Sequence, residues 1–215
     1  MTSLVEYYAK RAAEYERIYA RPERQADLAV LRARVGAMYA GRRVLELACG
    51  TGYWTEVIAA RAARVDALDV NEETLEVARS KKIPAGKAKF LRGDAYAPPD
   101  CRRTHDALFA GFWWSHVPLA RLDAFLEAAA SAVAPGALVA FLDNRYVDGS
   151  STPVSRTDAE GNTYQQRRLE DGSAHEVLKN FPAEGDLIRR ASRHGWGAHV
   201  ELLEHYWLLS FWSHA

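Results

Sequence analysis

Cysteine is scarce in this chain of 215 residues, which holds only Cys49 and Cys101. Two thiols exclude a disulfide-stapled scaffold and any zinc site built from cysteine. Surplus charge is missing as well, because 28 Lys and Arg balance 28 Asp and Glu. That balance argues against a dedicated binder of nucleic acid or of anionic membranes, whose partners call for a basic excess. No apolar run approaches the ~18 residues of a membrane span. The opening stretch, MTSLVEYYAKRAAEYERIYARPER, is too charged for a secretory signal. The expectation is a cytoplasmic monomer or homodimer with no nucleic-acid or membrane partner.

What the chain does have is apolar bulk, 48% of residues, with six Trp and ten Tyr. At about 100–200 residues per domain, it reads as one domain over 1–215. Residues 2–20 and 23–40 read as two helices forming an N-terminal cap, with Pro22 suited to a first helical turn. Short apolar runs at 43–48, 65–70, 89–94, 106–112 and 137–142 then alternate with helical stretches at 53–62, 72–81 and 119–133. This rhythm implies parallel strands with right-handed crossovers and helices on both faces. Residues 144–180 interrupt it with turn signals and read as an inserted hairpin or lid. A helix over 183–194 and strands at 199–204 and 206–212 close the chain. The expected fold is an α/β three-layer sandwich around a mostly parallel, seven-stranded sheet.

The run after the first strand, CGTG at 49–52, places Gly50 and Gly52 where a backbone must turn tightly and approach a ligand. Asp69 ends the second strand, where an acidic side chain accepts hydrogen bonds from ribose hydroxyls. Gly93 and Asp94 follow the third strand. Thr55 stands where a dinucleotide fingerprint needs its third glycine, and no Gly-Lys-Ser/Thr phosphate loop occurs. The conjunction describes a ligand with a sugar and a base but no phosphates.

VLELACGTGYWT at 44–55 resembles the first motif of the class I S-adenosylmethionine (SAM)-dependent methyltransferases, in the branch acting on small molecules. LDVNEETLEVAR at 68–79 is similar to their second motif, and FLRGDAY at 90–96 to their third. The resemblance departs at Ala48, where many members carry glycine. It implies SAM as cofactor. Glu46, Ala48, Gly50, Gly52 and Trp54 would serve its methionine side, Asp69 and Val70 the ribose, and Asp94 and Ala95 the adenine. Gly111 and Phe112 would contact the methionine ammonium after strand four. The cap resembles that of small-molecule members, which gives Tyr15 to the cofactor and Tyr7, Tyr8 and Arg11 to the acceptor. Those tyrosines lie near helical spacing, so a core stripe fits them equally well.

FWWSHVP at 112–118 follows strand four without the Asn/Asp-Pro-Pro-aromatic motif of nucleobase methylases, and no paired-aspartate metal set accompanies Asp143. Trp113, Trp114, Arg145 and Tyr146 are candidates for the acceptor wall, and His116 for a catalytic base. Arg167 and Arg168 read as exposed charge rather than an anion clamp. The function expected is metal-independent methyl transfer to oxygen or nitrogen of a small, partly apolar metabolite. The alternatives are a SAM-consuming cyclase releasing methylthioadenosine and a non-catalytic SAM-binding module. A nicotinamide oxidoreductase ranks behind these.

Overall fold

The computed structural model describes residues 4–214. The chain opens with α1 (Leu4–Arg11), a 3-10 segment (Ala12–Ala20) and α2 (Gln25–Met38). Then β1 (Arg43–Leu47), α3 (Tyr53–Ala59), β2 (Arg64–Asp69), α4 (Glu72–Arg79) and β3 (Ala88–Arg92) alternate. They are followed by β4 (Ala107–Gly111), α5 (Leu122–Ser131) and β5 (Leu138–Asn144). The strands β6 (Arg156–Thr157), β7 (Thr163–Arg168) and β8 (Ala174–Leu178) form a separate antiparallel sheet. The chain ends with α6 (Glu184–His194), β9 (Gly195–Leu202) and β10 (Tyr206–Ser213).

The main sheet has seven strands in the order β3-β2-β1-β4-β5-β10-β9. The first five are parallel, and β10 runs antiparallel to β5 and β9. Side chains alternate between its two faces, as the pleat requires. Leu45, Leu47, Val139 and Phe141 pack against α5 and α6, whereas Val44, Leu138, Ala140 and Leu142 pack with α2 and α3. Two cores, one per face, explain why β4 and β5 read as continuous apolar runs. Strand order reverses between β1 and β4, so a crevice opens beyond their carboxyl ends.

Three expectations shift in detail. The helix expected over 2–20 is α1 followed by a 3-10 segment, with Met1 to Ser3 outside the described residues. The inserted hairpin carries a third short strand, β6. Strand β9 starts at Gly195 instead of 199, because the bare Cα of Gly195 lets the chain press against the Trp212 carbonyl. Among the described residues no helix is long and apolar enough to cross a membrane.

Candidate active site

The glycine turn leaves β1 at the reversal point. Ala48 (φ 51°), Gly50 (φ 55°) and Gly52 (φ 79°) all occupy the left-handed region, which costs a residue with a Cβ about 1–2 kcal/mol. A Cβ on Gly52 would lie 3.0 Å from that of Ala78, so the turn packs directly on α4. Cys49 N donates to Leu68 O (2.8 Å) and Gly50 N to Asp69 Oδ2 (2.9 Å), tying the turn to the end of β2. Asp69 Oδ1 accepts from Asn71 N (2.9 Å) and Thr74 Oγ1 (3.1 Å). Burial pushes the Asp69 carboxyl up, against the pull of the Asn71 and Gly50 amides.

A hollow of about 280 Å³ lies over this turn. Ala48, Gly50, Asp69 and Val70 line it together with Asp94, Ala95, Gly111 and Phe112. Asp94 accepts from Tyr96 N through Oδ1 (2.9 Å). Leu4, Val5 and Tyr8 of α1 and Tyr15 of the 3-10 segment form the opposite wall.

A second hollow, of about 270 Å³, lies between the cap and β7–β8. Arg11, Arg21, Arg24, Arg167, Arg168 and Lys179 line it, and no carboxylate does. Gln165 is buried and accepts from Arg167 Nη2 (2.8 Å) and Nε (3.2 Å), which aims that guanidinium across the hollow at the Tyr7 and Tyr8 hydroxyls. Arg24 donates to Asn144 Oδ1 (3.0 Å) and Ser150 Oγ (3.1 Å). Among the described residues Arg11, Arg24 and Arg167 form no ion pair.

The hollows meet at Tyr8, Tyr15, Phe112 and His116, which line both. His116 Nδ1 lies 2.6 Å from Leu178 O. A carbonyl only accepts, so Nδ1 carries a proton. Burial, then Lys179 and Arg167, hold the ring well below the ordinary histidine value. The neutral ring therefore presents a lone pair at Nε2, which accepts from the Tyr8 hydroxyl (2.8 Å). Phe112 has φ 60°, a strained conformation fixed by its amide donating to Leu142 O (2.6 Å).

Residues 44–136 match a family described as a methyltransferase domain. A demethylmenaquinone methyltransferase of Clavibacter sepedonicus is 35% identical over 100 residues, which cover 46% of this chain and 41% of that protein. A ubiquinone biosynthesis O-methyltransferase of Shewanella pealeana is 32% identical over 103 residues, 47% of this chain and 43% of that protein. The match thus spans less than half the length of these curated relatives. Among solved structures, the complex of DhpI with S-adenosylhomocysteine (SAH) superposes with a TM-score of 0.79 at 31% identity, over 98% of this chain and 95% of that one. A DhpI–SAM–HEP complex gives 0.76 at 30% identity, over 98% and 99%.

The chain belongs to the class I SAM-dependent methyltransferases. Its fold is theirs, and SAM is the cofactor of that family. The first hollow suits such a ligand. Acidic side chains stand at the ends of β2 and β3, the apolar walls of Val5, Val70 and Phe112 match a purine and a thioether, and the turn leaves no Cβ at Gly50 to obstruct them.

Several residues singled out in the sequence of this methyltransferase stand elsewhere. Glu46 and Gly52 support the turn without lining the hollow, and Trp54 packs beneath it against Phe109 and Phe112. Glu46 is 1% exposed with Oε2 unpartnered among the described residues, and burial, helped by the Asp69 charge, raises its carboxyl to about 8. Trp113 lines the first hollow rather than the second one, edge-on to Tyr96. Trp114 is core, wedged between Phe141 and Trp207, because the 3-10 turn Trp114–His116 points it inward. Arg145 and Tyr146 lie outside both hollows. Arg145 is held outward by the Leu203 carbonyl and Tyr146 by the Phe181 ring.

Arg167 is the correction of most consequence. Expected as exposed charge, it is half-buried and faces the hollow, while Arg168 stays exposed at the rim. Strand alternation in β7 carries the signal, since Gln165 and Arg167 share a face. Arg24 and Lys179 were not singled out, although both are buried.

Proposed function

We propose that this protein transfers the methyl group of SAM to an oxygen of a small acceptor that carries an acidic group. The observation behind this reading is the pair of hollows, one suited to SAM and one lined by cations, that share Tyr8, Tyr15, Phe112 and His116. When bound, SAM supplies an electrophilic methyl group. The chain's residues do the rest. Arg11, Arg24 and Arg167 hold the acceptor's charge and so orient it toward the shared wall. Phe112 and Tyr15 keep water from the junction. His116 Nε2 accepts a proton where the acceptor oxygen carries one, after that oxygen displaces the Tyr8 hydroxyl.

The polar second hollow favours an acidic acceptor over the partly apolar metabolite expected from sequence. A separate second hollow also favours two ligands over SAM as sole substrate, as does the DhpI complex that contains SAM and HEP together. The relatives named ubiquinone biosynthesis O-methyltransferases supply the preference for oxygen. Among the described residues no three His, Cys, Asp or Glu converge as a metal site, and no step here is routed through a metal.

The test is SAH release from SAM with a panel of small carboxylates, phosphomonoesters and phosphonates against their neutral esters. Turnover confined to the acids is expected, and Asp69→Ala should weaken SAH binding at least about tenfold. Methylthioadenosine from SAM alone, or turnover of the neutral esters only, would refute the proposal.

A further inference from the structure

Lys179 is the least expected side chain in the molecule, an ammonium only 4% exposed at the end of β8. Its Nζ donates to Ser115 Oγ (2.6 Å) and to Asp143 Oδ1 (2.7 Å), and Asp143 is itself fully buried. A buried pair of this kind is weak support for stability, because desolvation consumes most of its Coulomb gain. Its placement suggests a different use. Residues 178–180 grip residues 115–117 one after another. Leu178 O accepts from His116 Nδ1 (2.6 Å), Lys179 reaches Ser115, Asn180 N donates to Ser115 O (2.8 Å), and Asn180 Nδ2 donates to Val117 O (3.3 Å). Asp143 Oδ2 accepts from Ser115 N (3.0 Å) and secures the same segment from β5.

We propose that Lys179 is a positioning residue for His116: with Asp143 it clamps residues 115–117 and fixes the imidazole with its Nε2 lone pair at the junction of the two hollows. The inference rests on the methyl-transfer reading above for its purpose, but not for its geometry. Four elements face the ring with titratable or charged groups: Tyr8 from α1, Arg167 from β7, Lys179 after β8, and Asp143 from β5. Both cations disfavour an imidazolium, and Asp143 favours it. Pairing with Lys179 therefore neutralises the charged group that favours an imidazolium, beside the Leu178 carbonyl. Burial would raise the Asp143 carboxyl, yet the Lys179 charge and the hydrogen bonds from Lys179 and Ser115 overrule it and hold it at about 2. Burial brings Lys179 down to about 8 against the opposing pull of Asp143, so the pair is intact at neutral pH. Removing the Lys179 charge leaves the buried Asp143 carboxylate without its cation, and its charge then favours a protonated His116 ring.

The test is a pH titration of His116 by nitrogen NMR on the cofactor-free full chain, with His116→Gln to assign its signals. In the parent, the neutral Nδ1–H tautomer is expected to persist to more acidic pH than an ordinary histidine allows. In Lys179→Met the ring should titrate at least about one unit higher, a tenfold change in its proton affinity. Lys179→Arg should restore the parent curve. Lys179→Met with Asp143→Leu, which removes both charges at once, guards against simple loss of folding and should bring the titration back toward the parent. The acid limb of kcat/KM for SAH release should move with the NMR curve. An Nε2–H tautomer in the parent, or the same titration in parent and Lys179→Met, overturns the inference. Correct NMR behaviour without SAH release rejects the methyl-transfer reading and leaves the clamp standing.

Discussion

At the scale of single residues, the site holds groups in states that water would not allow. Glu46 is the penultimate residue of β1, and burial raises its carboxyl to about 8. The folded chain then keeps a proton that the unfolded chain sheds near ~4.3. Stability from this group is present below the unfolded value and is lost as pH rises toward 8, because the folded state binds more protons across that window. Glu46→Gln removes the slope and keeps the shape. Its urea midpoint should gain on the parent between pH 5 and pH 8, and parallel curves for the two proteins would refute the assignment. Ala48 shows strain of another kind. The turn holds it at φ 51° without a glycine, so the left-handed bend forms despite the departure seen in the motif.

At the scale of elements, the cationic hollow depends on β7 lying across the cap. Alternation along TYQQRR sends Gln165 and Arg167 the same way, and Gln165 uses its one oxygen to hold the guanidinium. α1 answers from the other side with Arg11, which donates to the Tyr7 hydroxyl (3.0 Å), and with Tyr8, which reaches His116. A charged hydrogen bond to an oxyanion contributes about 1.5–3 kcal/mol. Arg167→Gln should therefore raise KM for an acidic acceptor by at least about tenfold, with a smaller change in kcat. Steady-state kinetics read the split, and an equal fall in kcat with KM unchanged would place Arg167 in the chemistry instead of in binding.

At the scale of the whole molecule, the sequence shows one hollow and hides the other. The first hollow is legible because its residues follow strand ends in chain order. Gly50, Asp69, Asp94 and Phe112 each carry a local turn signal, and the parallel rhythm says that these ends share an edge. The cationic hollow is assembled from segments far apart, as when Arg24 meets Ser150 across 126 positions. No local pattern announces such a meeting. The same holds for Trp114, whose inward turn depends on Phe141 and Trp207. The balance of 28 against 28 charges conceals it further, since six cations can gather in one hollow while the sum stays at zero. That distribution has a measurable consequence. With no net charge on the chain, long-range attraction of an anion must come from the hollow itself, and salt screens it with a Debye length of about 10 Å at 0.1 M. The kcat/KM for an acidic acceptor should fall several-fold as chloride rises from ~20 to ~200 mM, through KM and not kcat. SAH binding, held by an apolar hollow, should change little over the same range. If both constants fell together, salt would be acting on the fold and not on the cationic hollow.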